Sequence, residues 1–141
     1  MSGYLLDTNV VSELTRNVPH PDVVAFLSNR SDLWLSSIVI HELEYGLQLL
    51  PYGQRRRRVY AMKARIVSGY SNRILALDRR AAEWAARFRA QARRAGRVVD
   101  VGDALMAGIA RSNDLAVATR NVADFEHLDL EVTNPWNWSA S

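Results

Sequence analysis

The sequence predicts an α/β fold built on a central, mostly parallel sheet of four to five strands. Short apolar runs of the kind found in buried strands alternate along the chain with longer stretches of helical periodicity. This alternation implies βαβ crossovers, in which helices cover both faces of a parallel sheet. The 141 residues, 48% of them hydrophobic, suffice for one core, so we expect a single domain spanning residues 1–141.

The strand assignments depend on five apolar runs. The first run leads directly into Asp7, and the second leads into the serine pair Ser36 and Ser37. Runs of this length and composition suit strands that are buried on both faces. The predicted strands are 4–6, 33–35, 74–77, 115–119 and a short one at 130–133.

Five stretches between these runs place apolar side chains on one helical stripe. Leu43, Leu47 and Leu50, for example, follow the i, i+4, i+7 rule. Asp78 matches a helix N-cap, and Gly96 matches the position just past a helix C-terminus. The predicted helices are 21–28, 38–50, 54–68, 79–95 and 103–113, the last rich in small residues that permit close packing on a sheet.

Three carboxylates follow strands or begin helices at one end of the predicted sheet, where open α/β sheets bind their ligands. Asp7 follows the first strand, Glu42 lies one turn into the helix after the second, and Asp103 opens the small-residue helix. Each also has a purely structural interpretation. Asp7 suits a helix cap or Asx turn, Glu42 an exposed helix carboxylate, and Asp103 an acid favoured by the helix dipole. Asp100, three residues before Asp103, competes for either role.

As a set, the three acids indicate a divalent cation. Two carboxylates about 4 Å apart repel each other by about 4 kcal/mol at an effective dielectric of about 20, before screening by salt. Oxygen ligands in a chain without cysteine favour Mg²⁺, or Mn²⁺, over zinc. Such an ion holds phosphate oxygens and lowers the pKa of its bound water, which provides the nucleophile for phosphodiester hydrolysis. The set therefore predicts a metal-dependent nuclease.

The composition and the remaining motifs exclude several other classes of protein. With no cysteine, disulfides and thiolate metal sites are impossible. The three histidines lack HExxH spacing, and neither a Gly-rich phosphate loop nor a G-x-S-x-G motif is present. No apolar run has the length of a membrane span and no signal peptide is visible, so we expect a cytoplasmic protein without a membrane partner. A net charge of +3 is compatible with a nucleic-acid partner.

Four spaced motifs resemble those of one family, the PIN-domain proteins. The first is LLDTNVVSEL at residues 5–14, and the second is LSSIVIHELEYG at 35–46. The third is DALMAGIA at 103–110, and the fourth is ATRNVADF at 118–125, with NPW following at 134–136. The motifs stand in the family's order over nearly the whole chain. The ending and the length resemble the FitB branch of the VapC-type toxins.

The resemblance implies a PIN fold, a three-layer α/β/α arrangement, and an endoribonuclease that uses Mg²⁺ or Mn²⁺. It also implies the toxin of a type II toxin–antitoxin pair. Such toxins form homodimers and are neutralised by a small VapB- or FitA-like antitoxin, and the complex binds promoter DNA. Two alternatives stay open at this point: a PIN nuclease of RNA processing that is not a toxin, and a DNA-binding partner protein without catalysis.

Carried over by position, the resemblance makes Asp7, Glu42 and Asp103 the metal-binding and catalytic acids. The chain departs from the family at the fourth acidic position, where relatives often carry an aspartate after the Thr-Arg pair and this chain has Asn121. The amide carbonyl of Asn121 can still reach a metal or its water but brings no charge. We therefore expect one well-held ion, with any second ion needing the RNA phosphate to complete its ligands. Other candidates for the site are Asp124, Asp100, Thr119, Arg120 and Asn9.

Two expectations concern partner surfaces. The densest charge run lies in a predicted helix and is either a solvated face or an electrostatic track for RNA; it consists of Arg55, Arg56, Arg57 and Arg58. By analogy with the family, an apolar groove formed partly by residues 10–27 and 38–50 is a candidate antitoxin site.

Overall fold

The computed structural model describes residues 2–28 and 30–138 and contains a five-stranded sheet flanked by helices. The strands are β1 (Tyr4–Leu6), β2 (Leu33–Ser36), β3 (Ile74–Leu75), β4 (Ala116–Ala118) and β5 (Val132–Thr133). The α-helices are α1 (Thr8–Glu13), α2 (Pro21–Leu27), α3 (Ser37–Leu49), α4 (Gln54–Gly69), α5 (Arg79–Arg94) and α6 (Val101–Ser112). Short 3-10 helices, Val122–Asp124 and Pro135–Asn137, follow β4 and β5. No helix in the described ranges has the length and apolar character needed to cross a membrane.

The strands pair in parallel throughout the described sheet, in the order β3-β2-β1-β4-β5. Tyr4 of the central strand β1 lies opposite Leu33 of β2 on one side and Ala116 of β4 on the other. The chain first builds the sheet outward from β1 to β3 and then returns to add β4 and β5. The strand order therefore reverses between β1 and β4, which is where open α/β sheets bind ligands. The predicted fold class is confirmed.

Several predicted elements have different ends in the structure. β3 and β5 each have two residues, and β4 is one residue shorter at each end than predicted. α6 begins at Val101, because Asp100 caps it: the Asp100 carboxylate accepts a hydrogen bond from the Asp103 backbone N–H at 3.3 Å. The prediction that Asp103 opens this helix is therefore wrong, and Asp103 lies within its first turn.

The hydrophobic core is centred on the strands that lead into the acidic residues. Side chains of β1, β2 and β4 are almost fully buried, namely Leu5, Leu6, Leu33, Leu35 and Val117. Three buried phenylalanines complete the core: Phe26 of α2, Phe88 of α5 and Phe125, which follows β4. Each such side chain contributes about 1.5–3 kcal/mol through burial. The ends of β1 and β4 are therefore held firmly in register.

The small residues of α6 permit a close approach to α5 rather than only to the sheet. A Cβ placed on Gly108 would lie 2.2 Å from the Ala81 carbonyl oxygen and 2.9 Å from the Ala85 backbone nitrogen. Real side chains do not tolerate such distances, so only glycine fits at this position. The α5–α6 packing fixes the position of the α6 N-terminus, which carries Asp100 and Asp103.

Candidate active site at the reversal of strand order

Asp7 lies directly after β1 and serves as the N-cap of α1. Its Oδ1 accepts a hydrogen bond from the Thr8 backbone N–H at 2.7 Å. The capping interpretation is therefore correct, but it accounts for only one of the two carboxylate oxygens. Asp7 is 6% exposed, so the other oxygen also needs partners within the protein.

The second oxygen of Asp7 is held from the end of β4. Oδ2 accepts a hydrogen bond from the Thr119 hydroxyl at 2.7 Å and another from the Asn9 side-chain amide at 3.3 Å. The side-chain oxygen Oδ1 of Asn9 accepts a hydrogen bond from the Arg120 backbone N–H at 3.3 Å, which ties α1 to the loop after β4. Asn9 and Thr119, both predicted site residues, thus fix the orientation of Asp7.

Glu42 projects from α3 toward the beginnings of two other helices. Its Oε2 accepts a hydrogen bond from the Thr8 hydroxyl at 2.9 Å. Its Oε1 lies 3.6 Å from the point where a Cβ on Gly102 would stand, which places Glu42 next to the first turn of α6. Thr8 was not among the predicted site residues, although its place directly after Asp7 could have suggested it.

Asp103 is the most electrostatically perturbed acid of the site. Burial, together with the negative charges of Asp7, Asp100, Asp124 and Glu42, raises its pKa to about 7. Burial also raises the pKa of Asp7, while the hydrogen bonds from Thr119 and Thr8 counteract that rise. Five carboxylates therefore act on one another here, and three of them are the predicted metal-binding set.

The two candidates for the fourth acidic position are placed differently. Asp124 lies at the end of the 3-10 helix after β4, and its charge raises the pKa of both Asp7 and Asp103. Asn121 has an exposed side chain, and its backbone N–H donates to the Thr119 hydroxyl oxygen at 3.0 Å. Of the two candidates, Asp124 is therefore the one whose charge acts on Asp7 and Asp103.

A cleft of about 720 Å³ opens beside this cluster. Asp100, Asp103 and Asp124 line it, together with Arg97 and His127. Both ring nitrogens of His127 are buried and have no hydrogen-bond partner among the described residues. Arg97 and His127 were not predicted as site residues, because neither belongs to a recognisable motif.

The donor set suits a hard divalent cation. Every candidate ligand is a carboxylate or amide oxygen, and the pKa of Asp103 is raised by burial and by neighbouring negative charges, which a cation would offset. Within residues 2–28 and 30–138, no three acidic or histidine side chains form a ready-made metal-binding group. The residues fit a cation by charge and donor type, but their side chains do not form a coordination site as they stand.

Two of the four arginines in the predicted RNA track on α4 already contact other groups of the protein. Arg56 donates to the Leu50 carbonyl oxygen at 3.0 Å and stacks on Tyr52, and Arg58 donates to the Thr15 carbonyl oxygen at 2.8 Å. Arg55 and Arg57 are exposed. Arg120, beside the acidic site, lies over the Trp136 ring with its guanidinium carbon 5.0 Å from the ring centroid.

The chain matches one protein family over most of its length. A family model described as PIN domain matches residues 4–130, and this chain therefore belongs to the PIN-domain family. Two relatives place it more narrowly. Toxin FitB of Neisseria gonorrhoeae is 35% identical over 136 residues, which cover 94% of this chain and 98% of FitB. VapC ribonuclease Y4jK of Sinorhizobium fredii is 34% identical over 135 residues, which cover 94% of this chain and 96% of the relative.

A solved structure of the same branch supports this placement. The structure of FitAB bound to an IR36 DNA fragment superposes with a TM-score of 0.89 at 34% identity, covering 97% of this chain and 98% of that one. Within the PIN family the chain thus belongs to the VapC family, in its FitB-like branch.

Proposed function

We propose that this protein is a metal-dependent endoribonuclease that acts as the toxin of a type II toxin–antitoxin system. The observation that carries the proposal is the cluster of carboxylates at the reversal of strand order, in which Asp103 holds its proton up to about pH 7 in the absence of metal. A relative of similar length is named a VapC ribonuclease, and another is named Toxin FitB. Both names agree with a nuclease at this site.

In this proposal Asp7, Glu42 and Asp103 hold Mg²⁺ or Mn²⁺, and Asp124 is the fourth carboxylate. The bound ion supplies an activated water and neutralises charge on the phosphate that is hydrolysed. The protein's own part is to keep the acids ionised and oriented. Thr119 and Asn9 orient Asp7, and Thr8 orients Glu42. Such support from a second set of residues is what keeps metal ligands in place.

The partner in this proposal is a small antitoxin that occupies a groove of about 290 Å³ between α1, α3 and α4. Apolar side chains line much of the groove, and Glu42 forms part of its wall. A segment bound there would lie next to a proposed metal ligand and would block the site. The solved FitAB structure, which includes DNA, favours a complex that also binds promoter DNA. We further propose a homodimer and a cytoplasmic location.

Incubation of the purified chain with structured RNA in the presence of Mg²⁺ tests the activity. We expect cleavage by the wild type, no cleavage in EDTA, and a large loss of cleavage in the Asp7→Asn variant, since one buried metal ligand is lost. Equal cleavage under all three conditions would contradict the proposal, because a contaminating nuclease would then explain it. Growth arrest on expression, relieved by the protein encoded in the adjacent reading frame, tests the toxin role separately.

A further inference from the structure

A basic face lies next to the acidic cleft, on α5 and the loop that follows it. Residues 84–99, which include the second half of α5, contain five arginines and no acidic residue. Arg89 and Arg93 lie four residues apart on one flank of α5, and Arg97 follows in the next loop. A second cleft, of about 360 Å³, is lined by these three arginines together with Val98 and Val99.

The second cleft is continuous with the acidic one. Arg97, Val98 and Val99 line both, so the basic face begins where the carboxylates end. The end of α5 fixes this geometry, because Gly96 adopts a left-handed conformation with φ of +75°. The Arg97 N–H then donates to the Ala92 carbonyl oxygen at 2.8 Å, which holds Arg97 against the last turn of the helix.

The arginines of this face lack structural partners. The side chains of Arg89, Arg93 and Arg97 are exposed and form no ion pair, hydrogen bond or ring contact with any described residue. The negative end of the helix dipole favours Arg93, but Arg89 lies further from the terminus and Arg97 beyond it. By contrast, Arg56 and Arg58 of the α4 run already bind backbone carbonyl oxygens.

A polyanion needs positive charge close to a carboxylate cluster in order to approach it. Charges separated by more than about 10 Å are screened at 0.1 M salt, so distant arginines cannot offset the repulsion. The shared lining of the two clefts places Arg97 at the boundary and Arg93 and Arg89 further along. Successive arginines four residues apart on a helix are displaced by about 6 Å along its axis, which suits successive contacts to one extended strand.

We propose that Arg89, Arg93 and Arg97 form the phosphate-binding track that guides a single RNA strand into the acidic cleft. This inference rests on the proposed nuclease function and specifies how its substrate is held. The track binds backbone phosphates, so it contributes affinity and salt dependence without base specificity. The α4 arginine run is not required for this contact.

The test measures binding apart from cleavage. A fluorescent 20-nucleotide single-stranded RNA is titrated, with Mg²⁺ present, against Asp7→Asn protein that carries Arg89→Gln and Arg93→Gln together. Loss of two phosphate contacts should reduce the slope of log K against log salt by about 1.4. If the variant and its Asp7→Asn parent bind equally at 1 M salt, the variant should bind about 25-fold more weakly than the parent at 0.1 M salt. Double replacement by lysine should retain most of the affinity, because the charges remain.

The control variants remove the same charge elsewhere. Arg80→Gln with Arg94→Gln acts on other faces of α5, since Arg80 is rotated by about 180° and Arg94 by about 140° from Arg89. Arg55→Gln with Arg57→Gln removes the exposed arginines of the α4 run. Both pairs should leave the salt slope near that of the parent. An equal loss in all three pairs, or a loss confined to the α4 pair, would overturn the proposal.

Cleavage by otherwise wild-type protein separates this inference from the proposed function. With Asp7 intact, the Arg89→Gln and Arg93→Gln pair should raise KM and leave kcat nearly unchanged. Cleavage without any effect of this pair on KM or on binding would overturn the track while the nuclease stands. Absence of cleavage in every variant, with the binding loss still present, would overturn the nuclease and retain the track as a nucleic-acid contact.

Discussion

The Thr119 hydroxyl donates a hydrogen bond of 2.7 Å to the Asp7 carboxylate, and both residues are buried. They come from the ends of β4 and β1, the two neighbouring strands between which the strand order reverses. Burial raises the pKa of Asp7, and this hydrogen bond is the largest contribution that lowers it. Thr119 therefore helps to keep Asp7 ionised in a place where water contributes little.

Replacement of Thr119 by valine should weaken the site without changing its shape. We expect the pKa of Asp7 to rise further, so that cleavage shifts to higher pH, and the free energy of unfolding to fall by about 1–3 kcal/mol. The measurement is a pH profile of RNA cleavage together with thermal unfolding. Thr119→Ser keeps the hydroxyl and should retain the wild-type profile. An unchanged profile in Thr119→Val would show that the hydroxyl does not tune Asp7.

Asp103 should make the metal-free protein less stable as the pH rises. Its pKa is 3.8 in the unfolded chain and about 7 in the folded one, so the folded state binds more protons between these values. The contribution of Asp103 to the free energy of unfolding is therefore most favourable below about pH 4, and it declines as the pH rises to about 7. Thermal unfolding in EDTA across this range should show the decline in the wild type and a smaller one in Asp103→Asn.

The effect of Mg²⁺ on the melting temperature can be measured on the same two proteins, the wild type and Asp103→Asn. An ion that binds only the folded state raises its melting temperature, so the wild type should gain clearly and Asp103→Asn much less. At pH 8 without metal, Asp103→Asn should be as stable as the wild type or more so. A clear loss of stability there would identify Asp103 as a structural residue of the α6 N-terminus.

The parallel sheet and the position of Asp7 could be predicted because both depend on local patterns. An apolar run that ends in an acidic residue marks a strand end whatever the rest of the chain does. The start of α6 could not be predicted in the same way. Asp100 and Asp103 are both acceptable N-caps, and only the folded backbone decides that Asp100 caps the helix.

Contacts between distant parts of the chain explain the other omissions. The Thr8 hydroxyl reaches Glu42 across 34 residues, a contact that the local sequence does not show. The 3-10 helix after β4 carries Asp124 into the acidic environment, and Asn121 precedes it with an exposed side chain. Arg97 reaches the cleft because α5 ends at a left-handed glycine. These relationships arise from tertiary packing.

The close contact of α5 and α6 predicts the effect of a small substitution. In Gly108→Ala the new Cβ would meet the Ala81 carbonyl oxygen at 2.2 Å, so one helix must move. Overpacking of this kind costs about 1–3 kcal/mol, and displacement of α6 would also shift Asp103. We expect both the melting temperature and cleavage to fall. Gly46→Ala on α3, where a Cβ meets nothing within 4 Å, is the matched control and should leave stability near that of the wild type.

His127 should be replaceable by an apolar ring of similar size. Both of its ring nitrogens are buried without a hydrogen-bond partner among the described residues, and each such group costs about 1–3 kcal/mol. His127→Phe removes this cost, so its melting temperature should equal or exceed that of the wild type. A marked fall in the melting temperature would show that the imidazole nitrogens bind water or an ion in solution.

Asp124 should matter for cleavage more than Asn121. Both residues are exposed, but Asp124 lines the acidic cleft and raises the pKa of Asp103, whereas Asn121 does neither. We expect Asp124→Asn to reduce cleavage by about 10- to 100-fold and to weaken Mg²⁺ binding, since a supporting carboxylate is lost. Asn121→Ala should have a small effect on both.

A charge-matched control separates the position of Asp124 from its charge. Glu126 is exposed two residues further on and does not line the cleft, so Glu126→Gln should leave cleavage nearly unchanged. Mg²⁺ affinity from calorimetry and initial cleavage rates at saturating Mg²⁺ provide the comparison. If Asn121→Ala loses more activity than Asp124→Asn, the amide rather than the carboxylate fills the fourth position, and the loop after β4 must rearrange when the metal binds.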